Sequence, residues 1–408
     1  MSKNTTESRA RMRTIDKSII ILMKSAITGK SYTLPEDFSL SESFYQIRKH
    51  TLMPLIYAGV LNCGIPKEDP EMQKLFIYYR EYLNYSEKQM AAVKRIYTAF
   101  EANGIDYMPV KGCNLKLLYP APEMRPMSDA DILIKQSQYH QIEKLMKELG
   151  YVLEHAGDHD YGWCSGNIHI ELHYRLILPY NQAYKEYFGS GWNLAAMQNN
   201  HHFYMNPEDE FIYLFIHFTK HYRLGSVGCR QVLDLWIYLR TYPDLDKEYI
   251  EKKIRELSVS EFYHNMLTLI DYWFNNGKGN EKAEYISEYI LTSGNGGTYE
   301  NRVKAYGVMN AQLSGSKVKG KIHTLRKAVF PDLSDLKMRY TVLKKVPVLL
   351  PAVWVYRWFD AVLTRKDNVK ALTKRVRGVC TLDLSDFENS LSYVGLDFTF
   401  EEGKDKES

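Results

Sequence analysis

The chain reads as an α+β protein, a small mixed sheet held between N-terminal and C-terminal helical regions. Three observations carry that expectation. From Asn167 to Tyr174, Ile168, Ile170 and Leu172 alternate with His169, Glu171 and His173, the period-two pattern of a half-buried strand. Upstream, a strand, turn, helix and strand follow one another between Ile105 and Ile134. The flanks instead place apolar residues at helical spacing, most clearly from Met72 to Ala102 and from Phe211 to Leu291.

At 408 residues the chain has room for two or three domains. Its 45% apolar and 25% charged residues are ordinary for a globular protein, and only the 32 tyrosines stand out. A net charge of +4 does not mark the whole chain as a nucleic-acid binder. The charge is uneven, however: from Arg302 to Arg377 there are 18 Lys and Arg against four Asp. That segment could meet a polyanion or an anionic membrane surface, and a solvated basic helical face is the plainer reading. Five scattered cysteines without a Cys-x-x-Cys pair argue against a disulfide framework and a zinc knuckle. The first residues lack a signal-peptide pattern, and the apolar run Val346 to Val355 is too short to span a bilayer. We therefore expect a cytoplasmic protein with no transmembrane segment.

Taken in order, Ile15 to Ile27 and Ser41 to Val60 predict helices, the second kinked at Pro54. Met72 to Ala102 predicts a long amphipathic helix stopped by Gly104. These make residues 1–103 a helical support. Residues 104–180 form the α+β core: a strand from Ile105 to Val110, the Lys111-Gly112 turn, and a helix from Asn114 to Tyr119. A loop from Pro120 to Pro126 leads to the strand Asp129 to Ile134. A helix from Gln138 to Leu149, a strand from Tyr151, a polar loop and the alternating strand complete it. Residues 181–295 are a helical domain placed to close a cleft. Ser293-Gly-Asn-Gly-Gly297 is the clearest linker before the basic region 296–408, which ends in the acidic tail Glu401 to Ser408.

The chemistry concentrates on carboxylates. Asp129 and Asp131 sit at positions i and i+2 of a strand and so project to the same side. Carboxylates this close repel one another unless a cation lies between them. Glu171 is the acidic residue on the polar face of the later strand, and it would complete an oxygen-rich magnesium site. A Lys-Gly turn between strand and helix lets backbone N–H groups approach an anion, with Lys111 as a point charge on a phosphate.

Val110-Lys111-Gly112, Arg125 and Asp129-Ala130-Asp131 before an apolar strand resemble the polymerase-β-like nucleotidyltransferase superfamily. More narrowly, the chain resembles a bacterial family of uncharacterised nucleotidyltransferases. The likeness rests on those residues, on Glu171-Leu172-His173, and on the helix pair carrying His217-Phe-Thr-Lys-His221 and Arg230-Gln-Val-Leu-Asp234. It spans roughly residues 45 to 290. The resemblance implies a nucleotidyltransferase core in which Asp129, Asp131 and Glu171 are catalytic and bind Mg2+ or Mn2+. It implies that Lys111, Gly112, Arg125, Lys220 and Arg230 hold a nucleoside triphosphate, and that His173, His217 and His221 support the metal ligands. An NMP group would pass from an NTP (ATP among them) to an acceptor hydroxyl on a protein, sugar, small molecule or RNA, with pyrophosphate leaving. Cys113 stands where the superfamily usually has Ser or Gly, and the interval from Gly112 to Asp129 is longer than in better known members.

Two other readings stand beside this one. His169, Glu171 and His173, with His217 and His221, could build a transition-metal hydrolase site. Alternatively, the same fold could be a catalytically silent nucleotide-binding module. Arg230 and Asp234, at i and i+4, can be read as a simple helical ion pair.

Overall fold

The computed structural model describes residues 3–178, 180–316, 342–364 and 384–397, with scattered positions between 318 and 340. Four helices come first: α1 (Lys3–Thr28), α2 (Leu40–Lys49), α3 (Met53–Asn62) and α4 (Pro70–Ala102). The stretch expected to be one kinked helix from Ser41 to Val60 is two. Thr51 between them takes φ 55°, and Pro54 lies in the first turn of α3, where its missing N–H costs no hydrogen bond. Asp69 caps α4, its carboxylate accepting from the N–H groups of Glu71 and Met72 at 2.7 and 3.3 Å. That helix stops where the sequence says it should: Gly104, at φ 66°, lets the Ile105 N–H reach back to the Phe100 carbonyl.

Seven strands then form one mixed sheet: β1 (Tyr107–Pro109), β2 (Asp129–Ile134), β3 (Val152–Ala156), β4 (Asp160–Ser165), β5 (Ile168–His173), β6 (Ala195–Asn199) and β7 (His202–Met205). Their order is β3-β4-β5-β2-β1-β7-β6. Strand β2 is central, antiparallel to β1 and parallel to β5. Between strands lie the single turn α5 (Gly112–Leu115), with a 3-10 turn at Lys116–Leu118, then α6 (Tyr139–Glu148) and α7 (Gln182–Phe188). The sheet is larger than the alternation pattern predicts. β4 falls inside the expected polar loop, because Asp160, Gly162 and Ser165 leave no sustained run of apolar residues. The β6–β7 hairpin lies beyond residue 180 and adds to the β1 edge, and its mostly exposed outer strand carries no apolar stripe to find.

The two faces of the sheet do different work. Ala130, Ile132 and Ile134 of β2 and Ile168, Ile170 and Leu172 of β5 pack with Val93, Ile96 and Phe100 of α4 and Ile142 and Met146 of α6. Period two then forces Asp129 and Asp131, with His169, Glu171 and His173, onto the opposite face. Met108, Val110 and Leu133 on that side join the main core with helices α8 (Pro207–Arg223), α9 (Cys229–Thr241), α10 (Lys247–Glu256), α11 (Ser260–Phe274) and α12 (Glu281–Ser293).

Residues of α1 to α3 belong to this same core. Buried His50, between α2 and α3, contacts the Leu291 carbonyl through Nε2 at 3.0 Å and accepts the Cys229 N–H at Nδ1. The glycine-rich stretch 293–297 is a packing device as well as a connection. Gly294, Gly296 and Gly297 all have positive φ, and a Cβ on Gly297 would lie 1.6 Å from the Gly225 carbonyl oxygen. Helix α13 (Tyr299–Ser314) follows. Much of the basic segment, including residues 365–377, and the tail 401–408 lie outside the described residues. Among the described residues, no helix is long and apolar enough to cross a membrane.

Candidate active site

A cavity of about 450 Å3 opens between the polar face of the sheet and helices α8 and α9. Its walls include Lys111, Gly112, Arg125, Asp129, Asp131 and Glu171, and from the helices Lys220, His221 and Arg230. The register β2–β5 sets Asp131 directly beside Glu171, with Asp129 one pleat away opposite His169. Residues 40 positions apart are thereby held shoulder to shoulder by parallel pairing of two buried strands.

The three carboxylates are not equivalent. Asp131 Oδ1 receives Lys111 Nζ at 2.7 Å and His173 Nε2 at 2.8 Å. Burial alone would raise its pKa, but Lys111 and His173 hold it well below the usual carboxylate range. Burial would likewise lower Lys111, and the Asp131 carboxylate overrides it and raises the ammonium pKa. Among the described residues Asp129 has only the Ser128 hydroxyl as a hydrogen-bond partner, at 2.8 Å; burial, then the charges of Asp131 and Glu171, push it up to about 6. Glu171 lies 3.4 Å from His173 Nε2 and keeps 27% of its side chain exposed toward the cavity. Ligand atoms of Asp131, Glu171 and His173 all fall within 4.8 Å of one another.

The Lys111-Gly112 turn is strained for a reason. Lys111 takes φ 48° without being glycine, which swings its side chain back over β2. A side chain on Gly112 would have to displace its neighbours, since a Cβ there would lie 2.4 Å from Met127 Sδ and 2.9 Å from Arg125 Nη1. Cys113 faces the other way, buried in the core between sheet and α4, so no group of that side chain lines the cavity.

The expected helical pair Arg230–Asp234 does not form. Asp234 takes Arg125 instead, Nε to Oδ1 at 2.8 Å and Nη2 to Oδ2 at 2.9 Å, and accepts the Tyr119 hydroxyl at 2.8 Å. The 3-10 turn before Arg125 (Pro122–Met124) brings its guanidinium onto α9 in the geometry a carboxylate prefers. Arg230 instead donates to the Pro126 carbonyl, and its Nε is buried without a hydrogen-bond partner among the described residues. Lys220 lines the cavity without an ion-pair partner among the described residues, and burial, then Lys111, lower it to about 8.

The histidines divide. His173 is fully enclosed against Asp131. His217 and His221 bond each other, Nε2 to Nε2 at 3.2 Å, and His221 Nδ1 meets Ser226 Oγ at 2.9 Å. Burial keeps both neutral, His221 down to about 3. Neither belongs to a metal-suited cluster among the described residues. His169 leans away to Glu154 of β3, at 2.9 Å, so the five-membered histidine–glutamate hydrolase site does not assemble. His159 and Asp160, which also line the cavity at the start of β4, gave no sequence signal because this stretch reads as a loop.

Carboxylates on two adjacent strands, a lysine–glycine turn and the cations of α8 and α9 thus face one another across a single cleft. The chain belongs to the uncharacterised nucleotidyltransferase family, whose model matches residues 37–275. It is a transferase of that class. No curated protein matches it. Among solved structures it is similar to the antibiotic-resistance factor ANT(2'')-Ia, at 10% identity and a TM-score of 0.31, over 46% of this chain and 97% of that one.

Proposed function

We propose that the protein moves an NMP group from a nucleoside triphosphate to an acceptor hydroxyl, releasing pyrophosphate, with Mg2+ or Mn2+ held by Asp129, Asp131 and Glu171. The observation that carries this reading is the pairing of Asp131 with Glu171 in register, with Asp129 on the same face, across from Lys220 and Arg230. The donor set fits a hard divalent cation. Asp131 and Glu171, with His173, bring ligand atoms within 4.8 Å of one another, and Asp129 on the same face is pushed up to about 6 by burial and its two carboxylate neighbours, as a site short of positive charge would be. Such an ion, when bound, neutralises charge on the reacting phosphate and the leaving oxygen.

The protein's own groups do the rest. Lys220 and Arg230 bind the triphosphate, because each reaches the cavity with donors that no carboxylate among the described residues occupies. Lys111 keeps Asp131 ionised, and the constrained turn holds it there. Glu171, the more open member of the Asp131–Glu171 pair, takes the proton of the acceptor hydroxyl. Helices α8 and α9 close over the sheet and exclude water. In this reading residues 1–103 support the core, the helices from α8 to α12 within 181–295 close the cleft while the β6–β7 hairpin of that stretch extends the sheet, and the basic stretch 302–377 meets a polyanion or membrane. The free thiols of Cys63, Cys113, Cys164 and Cys229 accord with a cytoplasmic setting.

The test is labelling. Purified protein with Mg2+, each of the four labelled NTPs and a cell extract is expected to transfer label to an acceptor. Asp129→Ala combined with Asp131→Ala is expected to transfer none. Equal labelling by both proteins, or none by the wild type with any NTP, would sink the reading.

A further inference from the structure

We propose that His159, Asp160 and His173 form a separate site for a zinc-class transition-metal ion in the cavity wall, beside the carboxylates but chemically distinct from them. Ligand atoms of these three residues lie within 4.8 Å of one another. Their placement follows from the sheet. Asp160 pairs with His173 in the antiparallel β4–β5 register, and the Tyr174 N–H holds the His159 carbonyl at 3.0 Å, fixing the start of β4 against the end of β5.

The second observation is His173 itself. Its side chain is 1% exposed, and its Nδ1 is buried without a hydrogen-bond partner among the described residues. Leaving a buried polar atom unpaired is costly, so an orphan of this kind calls for a partner. Nε2 meets Asp131 Oδ1 at 2.8 Å, its shortest contact, with Lys111 Nζ at 3.3 Å and Glu171 Oε2 at 3.4 Å beyond it. If Nε2 carries the proton, Nδ1 presents a lone pair, the arrangement in which a metal-bound imidazole donates its other N–H to a carboxylate.

Spacing agrees with this assignment. His159 Nε2 and Asp160 Oδ2 are 3.9 Å apart, too far for a hydrogen bond. Two ligands about 2.1 Å from a tetrahedral zinc are separated by roughly 3.4 Å, so a contraction of about half an ångström closes that pair on an ion. Two imidazoles and one carboxylate suit zinc, cobalt or nickel better than magnesium, which takes oxygen. Three protein ligands leave a fourth position, and both His159 and Asp160 border the cavity. A Cβ on Gly157 would lie 2.3 Å from Asp160 Oδ1, so a side chain there would have to turn the carboxylate from its present position.

This site shares His173 with the hydrolase constellation considered from the sequence but none of its other ligands, and it does not depend on the transferase reading. The test uses the full-length protein freed of metal by chelation, with Zn2+ measured by calorimetry and Co2+ by its visible absorption. The wild type is expected to bind one equivalent, with Co2+ bands of a four-coordinate nitrogen–oxygen site. His159→Gln and Asp160→Asn should each weaken Zn2+ binding at least tenfold and lose those bands. Asp129→Asn combined with Glu171→Gln should leave them intact. Wild-type affinity in both ligand variants, loss of binding in the Asp129/Glu171 variant, or no stoichiometric binding by the wild type would each overturn the assignment. None of these readouts uses transfer activity, so the two proposals fail separately.

Discussion

Replacing Asp234 with alanine is expected to cost stability before it costs catalysis. The carboxylate is buried, accepts two parallel bonds from Arg125 at 2.8 and 2.9 Å, and also holds the Tyr119 hydroxyl. Its removal leaves a guanidinium that is 7% exposed with no counter-charge and a tyrosine hydroxyl with no acceptor. Breaking a buried ion pair from one side costs about 3–5 kcal/mol. The orphaned hydroxyl belongs to the same network, so its cost overlaps with that figure rather than adding to it. Arg125→Met should lose a similar amount by stranding the carboxylate. The double variant Arg125→Met with Asp234→Leu should recover much of the loss, because apolar residues of like volume can replace a buried pair at little net cost. Urea denaturation followed by tryptophan fluorescence gives the four midpoints of the cycle. If Arg125 acts only on the triphosphate, Asp234→Ala will keep the wild-type stability within about 1 kcal/mol, and the argument from burial is wrong.

Other expectations follow from the same geometry. Glu171→Gln should leave the urea midpoint near wild type and reduce kcat by at least about a hundredfold, read by single-turnover labelling, since it removes the proton acceptor but keeps the shape. Burial holds Lys220 near 8, so it is charged below that pH and neutral above it; kcat/KM for the NTP should fall about tenfold with each pH step of one above 8, and Lys220→Arg should move the fall upward. His50 is held neutral by burial, its pKa lowered from 6.5 to about 4, so its stabilising contribution is complete above pH 6.5 and is lost as pH falls toward 4. Between pH 7 and 4.5 the wild type should lose about 2–3 kcal/mol more than His50→Gln in paired urea titrations, since each tenfold difference in proton affinity between folded and unfolded chain is about 1.4 kcal/mol. Gly112→Ala should destabilise the turn, because its Cβ has no room beside Met127 and Arg125; an unchanged melting temperature would show that the turn can open.

Much of this protein is legible in its sequence, for local reasons. Period two in Asn167 to Tyr174 is enough to put His169, Glu171 and His173 on one face, and the apolar run after Asp131 is enough to make β2 a buried strand. The caps and stops of α4 are written in Asp69-Pro70 and Gly104. What tertiary structure alone decided is partnership. Asp234 could pair with the arginine one helical turn before it or with one 109 positions away, and only the approach of the Pro122–Met124 turn to α9 selects Arg125. Lys111 could have faced a phosphate or a carboxylate, and a positive φ at the turn sends it to Asp131. His159 and Asp160 carry no periodic signal, because β4 owes its place to pairing with β5 rather than to an apolar stripe. Side chains report their own strand or helix through spacing, but a contact between elements depends on register and approach, which the whole core fixes together.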